Sequence, residues 1–310
     1  MKIHRRNYLL GTAALASSLS GLSKMTMANV PLRPLPILPL TNLIKDFDDR
    51  VVLKLLRSTH DFGNGIASKT LGINRSYLGP LLRVKKGHTL PLNVFNDIGE
   101  ISTLHWHGLH IPGAVDGGPH QQIETGDTWS PDLEIEQRAS LNWFHSHAHG
   151  KTAKQVYKGL TGVMLVEDDE SLSADLPHTY GVDDFTIILQ DKTFNEFGFL
   201  SYNLTENSID EGLIGETLVV NGTIAPVMQM VPKGLIRLRI LNASNANYYK
   251  LSLAHGTLNV IASDGGFLAS TVQTDDLLMS PGERYEILVD MKKIQTIIFF
   301  VDINLSFMSA

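Results

Sequence analysis

Short apolar segments, each bounded by glycine, proline, asparagine or aspartate, recur along this 310-residue chain and constrain its fold more than any other feature. In the segment at 235–241, Arg237 and Arg239 lie on one face and isoleucine or leucine on the other, which predicts a half-buried antiparallel strand. The predicted strands are residues 51–56, 89–95, 162–167, 185–190, 235–241, 258–262 and 284–289. Only residues 154–160 suggest a helix. The pattern predicts an all-β fold built from sandwiches.

The length favours two domains. A polar segment at residues 168–184 separates the strands into two sets, which predicts one domain at 49–170 and another at 183–290. The proline-rich residues 29–48 are interpreted as an extended leader. Residues 291–310 form an atypical, largely apolar tail, from which we expect a truncated gene product.

The first 28 residues have the character of a targeting segment. Arg5 and Arg6 precede an apolar run at residues 8–22, and small residues lead up to Ala28. The run is shorter than the roughly 20 residues that span a membrane, and the adjacent arginines resemble a twin-arginine export signal. The alternative, a membrane-anchoring amphipathic helix, lacks a basic face alternating with the apolar one. These residues predict export to the periplasm and no membrane span.

Composition excludes several kinds of site. The formal net charge is −6 without long charge runs, which argues against nucleic acid as a partner. The chain contains no cysteine. Disulfides, thiolate nucleophiles, iron–sulfur clusters and copper centres built on a cysteine sulfur are therefore excluded.

Seven of the twelve histidines lie between residues 105 and 149. They include two His-x-His pairs, His105 with His107 and His145 with His147. Side chains two apart in a strand share a face about 7 Å from each other, a spacing that suits two ions side by side better than one. Two facing strands of this kind predict a metal site of four imidazoles. For a single pair, a solvated strand face would be the better interpretation.

The donor chemistry indicates which metal such a site would take. Imidazole-only sites suit copper, zinc or nickel, and copper heads the divalent affinity order. Neither motif contains a carboxylate that could act as the general base of a hydrolase. Copper is favoured, and a zinc hydrolase is the weaker alternative.

These motifs resemble the first cupredoxin domain of multicopper oxidases, in the branch of bacterial periplasmic copper-efflux oxidases and laccases. The resemblance lies in residues 103–119 (TLHWHGLHIPGAVDGGP), 143–152 (WFHSHAHGKT) and 159–168 (GLTGVMLVED). It continues into the family's second domain through residues 183–192, 235–242, 260–267 and 281–290. It implies two cupredoxin-like Greek-key β-sandwiches.

The resemblance also implies residue roles. His105 resembles the type 2 copper ligand of the family's trinuclear cluster, and His107, His145 and His147 resemble type 3 ligands. Asp116 resembles a catalytic carboxylate that assists proton delivery during O₂ reduction, although an Asp-Gly-Gly turn explains it equally well. His149 is expected to hydrogen-bond beside the ligands. The other histidines are interpreted as loop residues or carry no motif: His60, His88, His110, His120, His178 and His255.

The chain also departs from the family. The four further histidines of the cluster, and the cysteine-bound type 1 copper, belong to a third domain whose motifs do not occur in this sequence. The resemblance therefore implies an oxidase that couples one-electron oxidation of a substrate or Cu(I) to reduction of O₂, here in a truncated form inactive alone. A homo-oligomer or a complementing third-domain fragment would be its partner. A non-enzymatic copper-binding protein of the periplasm and a structural cupredoxin-fold protein are the alternatives.

Overall fold

The computed structural model describes residues 33–45, 49–228, 231–253, 256–291 and 299–302. In chain order its strands are β1 (Arg33–Pro34), β2 (Leu40–Leu43), β3 (Val51–Asp61), β4 (Ala67–Ile73), β5 (Leu81–Lys85), β6 (Thr89–Asp97), β7 (His105–His107), β8 (Thr128–Trp129), β9 (Asp132–Glu134), β10 (Ser140–His145), β11 (Thr161–Glu167), β12 (Asp184–Phe194), β13 (Leu200–Ser201), β14 (Thr217–Val220), β15 (Thr223–Ile224), β16 (Pro226–Val227), β17 (Leu235–Asn242), β18 (Tyr249–Leu253), β19 (Leu258–Ser263), β20 (Gly266–Thr274), β21 (Asp276–Met279), β22 (Arg284–Asp290) and β23 (Phe299–Asp302). The helices are α1 (Thr152–Lys158), α2 (Asp169–Ser173) and α3 (Glu206–Asp210), with a 3₁₀ turn at Gly113–Val115. The predicted all-β class is confirmed, and each predicted strand lies within an observed one.

The first sandwich is built from two sheets with strand orders β2-β5-β11-β10-β7 and β4-β3-β6-β8. Their facing side chains form one buried cluster that includes Leu53, Leu92, Trp106, Phe144 and Met164. Each of these strands alternates so that every second side chain enters that core. The sheet that contains β7 and β10 carries three of the four paired histidines, His105, His107 and His145.

The second sandwich has one long sheet, ordered β15-β14-β12-β17-β22-β19-β20, and a smaller sheet, ordered β21-β18-β23. Its core cluster includes Leu238, Ile240, Tyr249, Leu251 and Ile287. The segment between β11 and β12, where the sequence suggests a linker, contains helix α2, which Asp168 caps by accepting a hydrogen bond from the Ser171 amide.

A third buried cluster joins the two sandwiches. It combines Leu141 and Trp143 of the first sandwich with Ile188, Val219 and Leu241 of the second. Polar contacts reinforce the junction: the Tyr77 hydroxyl donates to Gln190 Oε1 at 2.7 Å, and His60 Nε2 lies 2.7 Å from the carbonyl oxygen of Gly222. The two domains therefore meet at a buried, largely apolar interface.

The prediction that residues 235–241 form a half-buried strand is wrong. Strand β17 is buried on both faces, because its apolar face lies in the second core and its arginine face lies against the first domain. Arg237 and Arg239 are 3% and 1% exposed and share the space between the domains with Ser140, Glu167 and Glu286. The alternation of arginine with apolar residues does not reveal whether the arginine face of a strand is exposed to solvent. The same pattern occurs when a second domain covers that face and buried carboxylates neutralise its charge.

Several predictions fall outside the described residues: the export signal at 1–28, the first part of the leader, almost all of the tail at 291–310, and His255. The described part of the chain has no helix whose length and apolar character suit a bilayer crossing.

Candidate metal centre

The register of two neighbouring strands brings the histidine pairs together. Strand β7 pairs antiparallel with β10, so that His105 lies opposite His145 and His107 lies opposite Trp143. Trp106 and Phe144, also opposite each other, point into the first core and are fully buried. Because side chains alternate across a strand, burying these two rings presents the histidines on the other face.

His147 is held differently from the other three. The sequence pattern predicts that His147 lies in a strand. Strand β10 ends at His145, however, so His147 lies in the loop that follows. Its backbone amide donates to Thr103 Oγ1 at 2.8 Å. The Ser146 hydroxyl donates to Gln155 of α1, which anchors the loop from its other side.

The four imidazole rings converge on one space. The centroid of the His105 ring lies 5.8 Å from that of His107, 5.4 Å from that of His145 and 5.3 Å from that of His147. The ring centroids within the pairs are 5.8 Å apart for His105 and His107 and 5.9 Å apart for His145 and His147, which is less than the expected 7 Å. Donor atoms of His105, His107 and His145 all lie within 4.8 Å of one another. The expected arrangement of two ions side by side stays a prediction.

Hydrogen bonds select the nitrogens that face this centre. His105 Nδ1 lies 2.9 Å from the carbonyl oxygen of Asp116, and His145 Nδ1 lies 2.8 Å from that of Ser146. A carbonyl oxygen only accepts, so both Nδ1 atoms carry the proton and both Nε2 atoms present lone pairs. This is the arrangement by which a backbone carbonyl orients a metal-binding imidazole.

One pair of nitrogens already has the spacing of two ligands to a single ion. His145 Nε2 lies 3.4 Å from His107 Nδ1. Two nitrogens bound at 2.0–2.1 Å with a near-tetrahedral angle lie about 3.4 Å apart. The donor set and its spacing therefore fit a small imidazole-binding metal such as copper or zinc.

Burial keeps the His107 and His145 rings neutral at neutral pH. It lowers the pKa of His107 to about 4, with the positive charge of Arg284 and the neighbouring histidines acting in the same direction. It lowers the pKa of His145 to about 3, against the hydrogen bond to Ser146. Since only neutral imidazole binds a metal, both rings are available as ligands without displacing a proton.

Trp143 forms one wall of the centre, a role that the sequence interpretation missed. Its ring stacks on that of His145, with centroids 4.0 Å apart, and lies 4.9 Å from that of His107. Trp143 precedes His145 by two residues, and that spacing places both on the same face of β10.

The structure also places the other predicted site residues. Asp116 Oδ1 lies 3.2 Å from His105 Nδ1, next to the backbone carbonyl that makes the shorter contact. His149 is exposed and, within the described residues, makes no hydrogen bond to the four rings, contrary to expectation. His110 and His120 lie in exposed loops.

Comparison with known proteins gives the family. Family models described as multicopper oxidase match residues 56–171 and residues 173–308. The chain belongs to the multicopper oxidase family. Both of its sandwiches are cupredoxin-like multicopper oxidase domains.

Two solved structures of bacterial multicopper oxidases are similar to this chain. A laccase-like multicopper oxidase CueO from Ochrobactrum sp. superposes with a TM-score of 0.79 at 44% identity, covering 84% of this chain and 58% of that one. The McoA multicopper oxidase of Aquifex aeolicus superposes with a TM-score of 0.78 at 35% identity, covering 86% and 59%.

Curated relatives by sequence carry a different description. Cell division protein FtsP of Escherichia coli (strain K12) is 41% identical over 260 residues, which are 84% of this chain and 54% of that protein. FtsP of Edwardsiella tarda is 40% identical over 294 residues, 94% of this chain and 61% of that protein. The chain thus spans a little over half the length of these curated relatives.

Proposed function

We propose that the chain binds copper through His105, His107, His145 and His147, as one half of the kind of cluster from which copper-dependent oxidases are built. The observation that carries this proposal is the 3.4 Å separation of His107 Nδ1 and His145 Nε2. Both are imidazole nitrogens that can present a lone pair to a metal, and they lie on neighbouring strands. The imidazole-only donor set suits both copper and zinc. Membership in the multicopper oxidase family therefore favours copper.

The roles of the chain's own residues follow from the contacts. His105 and His145 are oriented by the carbonyls of Asp116 and Ser146, and His147 by Thr103. Trp143 excludes water from one side of His145, which is 6% exposed. Copper, when bound, would supply one-electron redox chemistry. Asp116 Oδ1, beside His105, is the carboxylate placed to hold or pass a proton at the centre's edge.

Oxidase activity is proposed to require more than this chain. A copper that accepts single electrons through a cysteine sulfur cannot form here, since there is no cysteine. We expect no oxidation of phenols or of Cu(I) with O₂ uptake by the chain alone. A complementing third-domain fragment would be needed for turnover, and a homo-oligomer would add imidazoles but no cysteine.

A structural role in cell division is a second candidate, favoured by the 41% identity to cell division protein FtsP. The two proposals differ in what the histidines do. A purely structural protein has no requirement for four converging imidazoles. Either role is proposed to be carried out in the periplasm, on the basis of the export-type residues 1–28.

Copper titration of the metal-free chain tests the proposal directly. Wild type is expected to bind one or two equivalents, and His145→Ala to weaken binding by at least 100-fold, because it removes the most buried donor. His149→Ala is the matched control, since it removes an exposed imidazole four residues away, and its binding should equal that of wild type. Equal binding by all three proteins would contradict the proposal.

Replacing Asp116 should have a smaller effect than replacing a ligand. The closer partner of His105 Nδ1 is the Asp116 backbone carbonyl at 2.9 Å, which remains in Asp116→Ala. Partners of this kind typically change metal affinity by 10–100-fold, and we expect a loss of about 10-fold or less here. Equilibrium competition with a chelator measures the change. A loss as large as that of His105→Ala would show that the carboxylate, and not the carbonyl, orients the ring.

A further inference from the structure

A turn of the second domain covers one side of the metal centre. The turn runs from Ser280 to Glu283 and is fastened to β17 by a hydrogen bond from the Gly282 amide to the Asn242 carbonyl, 2.8 Å long. A side chain placed on Gly282 would lie 3.5 Å from His107 Cε1 and 3.8 Å from the Trp143 ring. Gly282 also has a φ of +86°, which glycine adopts without strain. The turn therefore lies beside His107 and Trp143, with space for about one methyl group between its backbone and the His107 ring.

Arg284, at the start of β22, joins this turn to the histidine-bearing sheet. Its Nε donates to the carbonyl oxygen of Leu141 on β10 at 2.9 Å. Strand β7 pairs only with Trp143–His145 of β10, so Leu141 lies beyond the end of that pairing and its carbonyl is satisfied across the domain boundary. Arg284 is 4% exposed.

The same guanidinium is fixed within the second domain. Nη1 lies 2.9 Å from Asp264 Oδ1 and donates to the Gly282 carbonyl at 3.2 Å, while Nη2 donates to the Asp264 carbonyl at 3.2 Å. It also packs on the residue after His107, because a Cβ on Gly108 would lie only 2.6 Å from Nη2. Arg284 thus contacts β10 directly and lies close to Gly108, the residue that follows β7.

We propose that the second domain positions the metal centre, with the turn at Gly282 and the ring of Trp143 clamping His107 and Arg284 anchoring the clamp. Trp143 belongs to the apolar cluster shared between the domains, together with Leu241 and Ala243, and its ring also stacks on that of His145. Arg284 is a positioning residue: it acts on His107 and His145 through the backbone of β7 and β10. The copper-binding consequence rests on the proposed function, whereas the clamp itself does not.

Metal-free NMR spectra of the full chain test the clamp without reference to copper. In wild type, the ring protons of His107 and His145 should be shifted upfield by the stacked Trp143 ring. In Arg284→Met those shifts should fall by at least half, because the strands are no longer anchored to the turn. Ile287→Ala is the control: it removes a buried side chain of the same strand, in the core of the second domain, and should lower stability while leaving the histidine shifts unchanged.

Copper titration of the same variants gives the functional readout. Arg284→Met is expected to weaken copper binding about 10-fold and to change the Cu(II) EPR hyperfine splitting, whereas Ile287→Ala should do neither. Arg284→Lys keeps the positive charge but lacks the planar guanidinium group that makes several hydrogen bonds at once, and it should behave like Arg284→Met. Unchanged histidine shifts in Arg284→Met, or full recovery by Arg284→Lys, would overturn the positioning role. Absence of copper binding in wild type would overturn the proposed function and leave the metal-free result to decide the clamp.

Discussion

Replacing Glu286 by glutamine is expected to lower the free energy of unfolding by about 3–5 kcal/mol. Glu286 is 3% exposed and is paired with both Arg237 and Arg239, whose guanidinium groups are buried between the domains. The substitution preserves the shape of the side chain and removes the negative charge. Arg237 would then be a buried cation without its carboxylate partner, whereas Arg239 would keep its contact with Asp184.

The charge balance around Arg239 shows why the effect should be large. Burial alone lowers the pKa of Arg239, but the charges of Glu286 and Asp184 outweigh burial and raise it. The cluster is therefore held by its carboxylates, and removing one leaves an uncompensated charge in a region that water does not reach.

Asp276→Asn is the matched control for Glu286→Gln. Asp276 pairs with Lys250 at 2.7 Å, a short ion pair in the same domain, but its side chain is half exposed. Exposed pairs contribute about 0–1 kcal/mol, so this change should be close to neutral. Urea denaturation followed by circular dichroism measures both variants at constant ionic strength. Losses of similar size in the two proteins would show that burial of the interdomain ions is not what makes them important.

Replacing Gly117 by alanine is expected to destabilise the chain by about 3 kcal/mol and to disturb His105. Gly117 has a φ of +74°, which costs an L-residue about 1–2 kcal/mol. A Cβ there would also lie 1.8 Å from the carbonyl oxygen of Leu104, a backbone atom that cannot rotate away. The loop would have to move off strand β7, and Asp116, whose carbonyl orients His105, would move with it.

Gly113→Ala provides the comparison within the same loop. Gly113 has an ordinary φ and open space around the position of a Cβ, so the change should be neutral or stabilise by about 0.4–1 kcal/mol. Thermal denaturation and copper titration of the two variants separate the effects. If Gly117→Ala were as stable as Gly113→Ala and bound copper equally well, the prediction would be wrong. The close approach of the loop to Leu104 would then be required neither for stability nor for the position of His105.

The positions of the strands and the proximity of the histidines were predictable, because both depend on patterns in the local sequence. Apolar segments bounded by turn residues located β6, β11 and β22, and the period-two rule placed His105 and His107 on one face. The same rule failed at His147, where the chain leaves the strand after His145 and a Thr103 hydroxyl replaces the ladder as the positioning contact.

The contacts between the domains were not predictable in this way. Arg237 and Arg239 have the pattern of a solvent-facing strand, and only the packing of one sandwich on the other shows that they are buried with Glu286 and Asp184. Arg284 is separated from its acceptor Leu141 by 143 positions, and nothing in either local sequence indicates the pairing. The position of Trp143 could have been predicted, because its spacing of two residues from His145 puts both side chains on one face of β10.

X-ray absorption of the copper-loaded chain tests the central claim most directly, because it reports the atoms bound to the metal. We expect a shell of nitrogen at about 2.0 Å with the multiple-scattering pattern of at least two imidazoles per copper. That pattern should be lost in the His107→Ala/His145→Ala double variant. A spectrum without imidazole scattering, or one that the double variant leaves unchanged, would contradict a metal centre formed by the converging histidines.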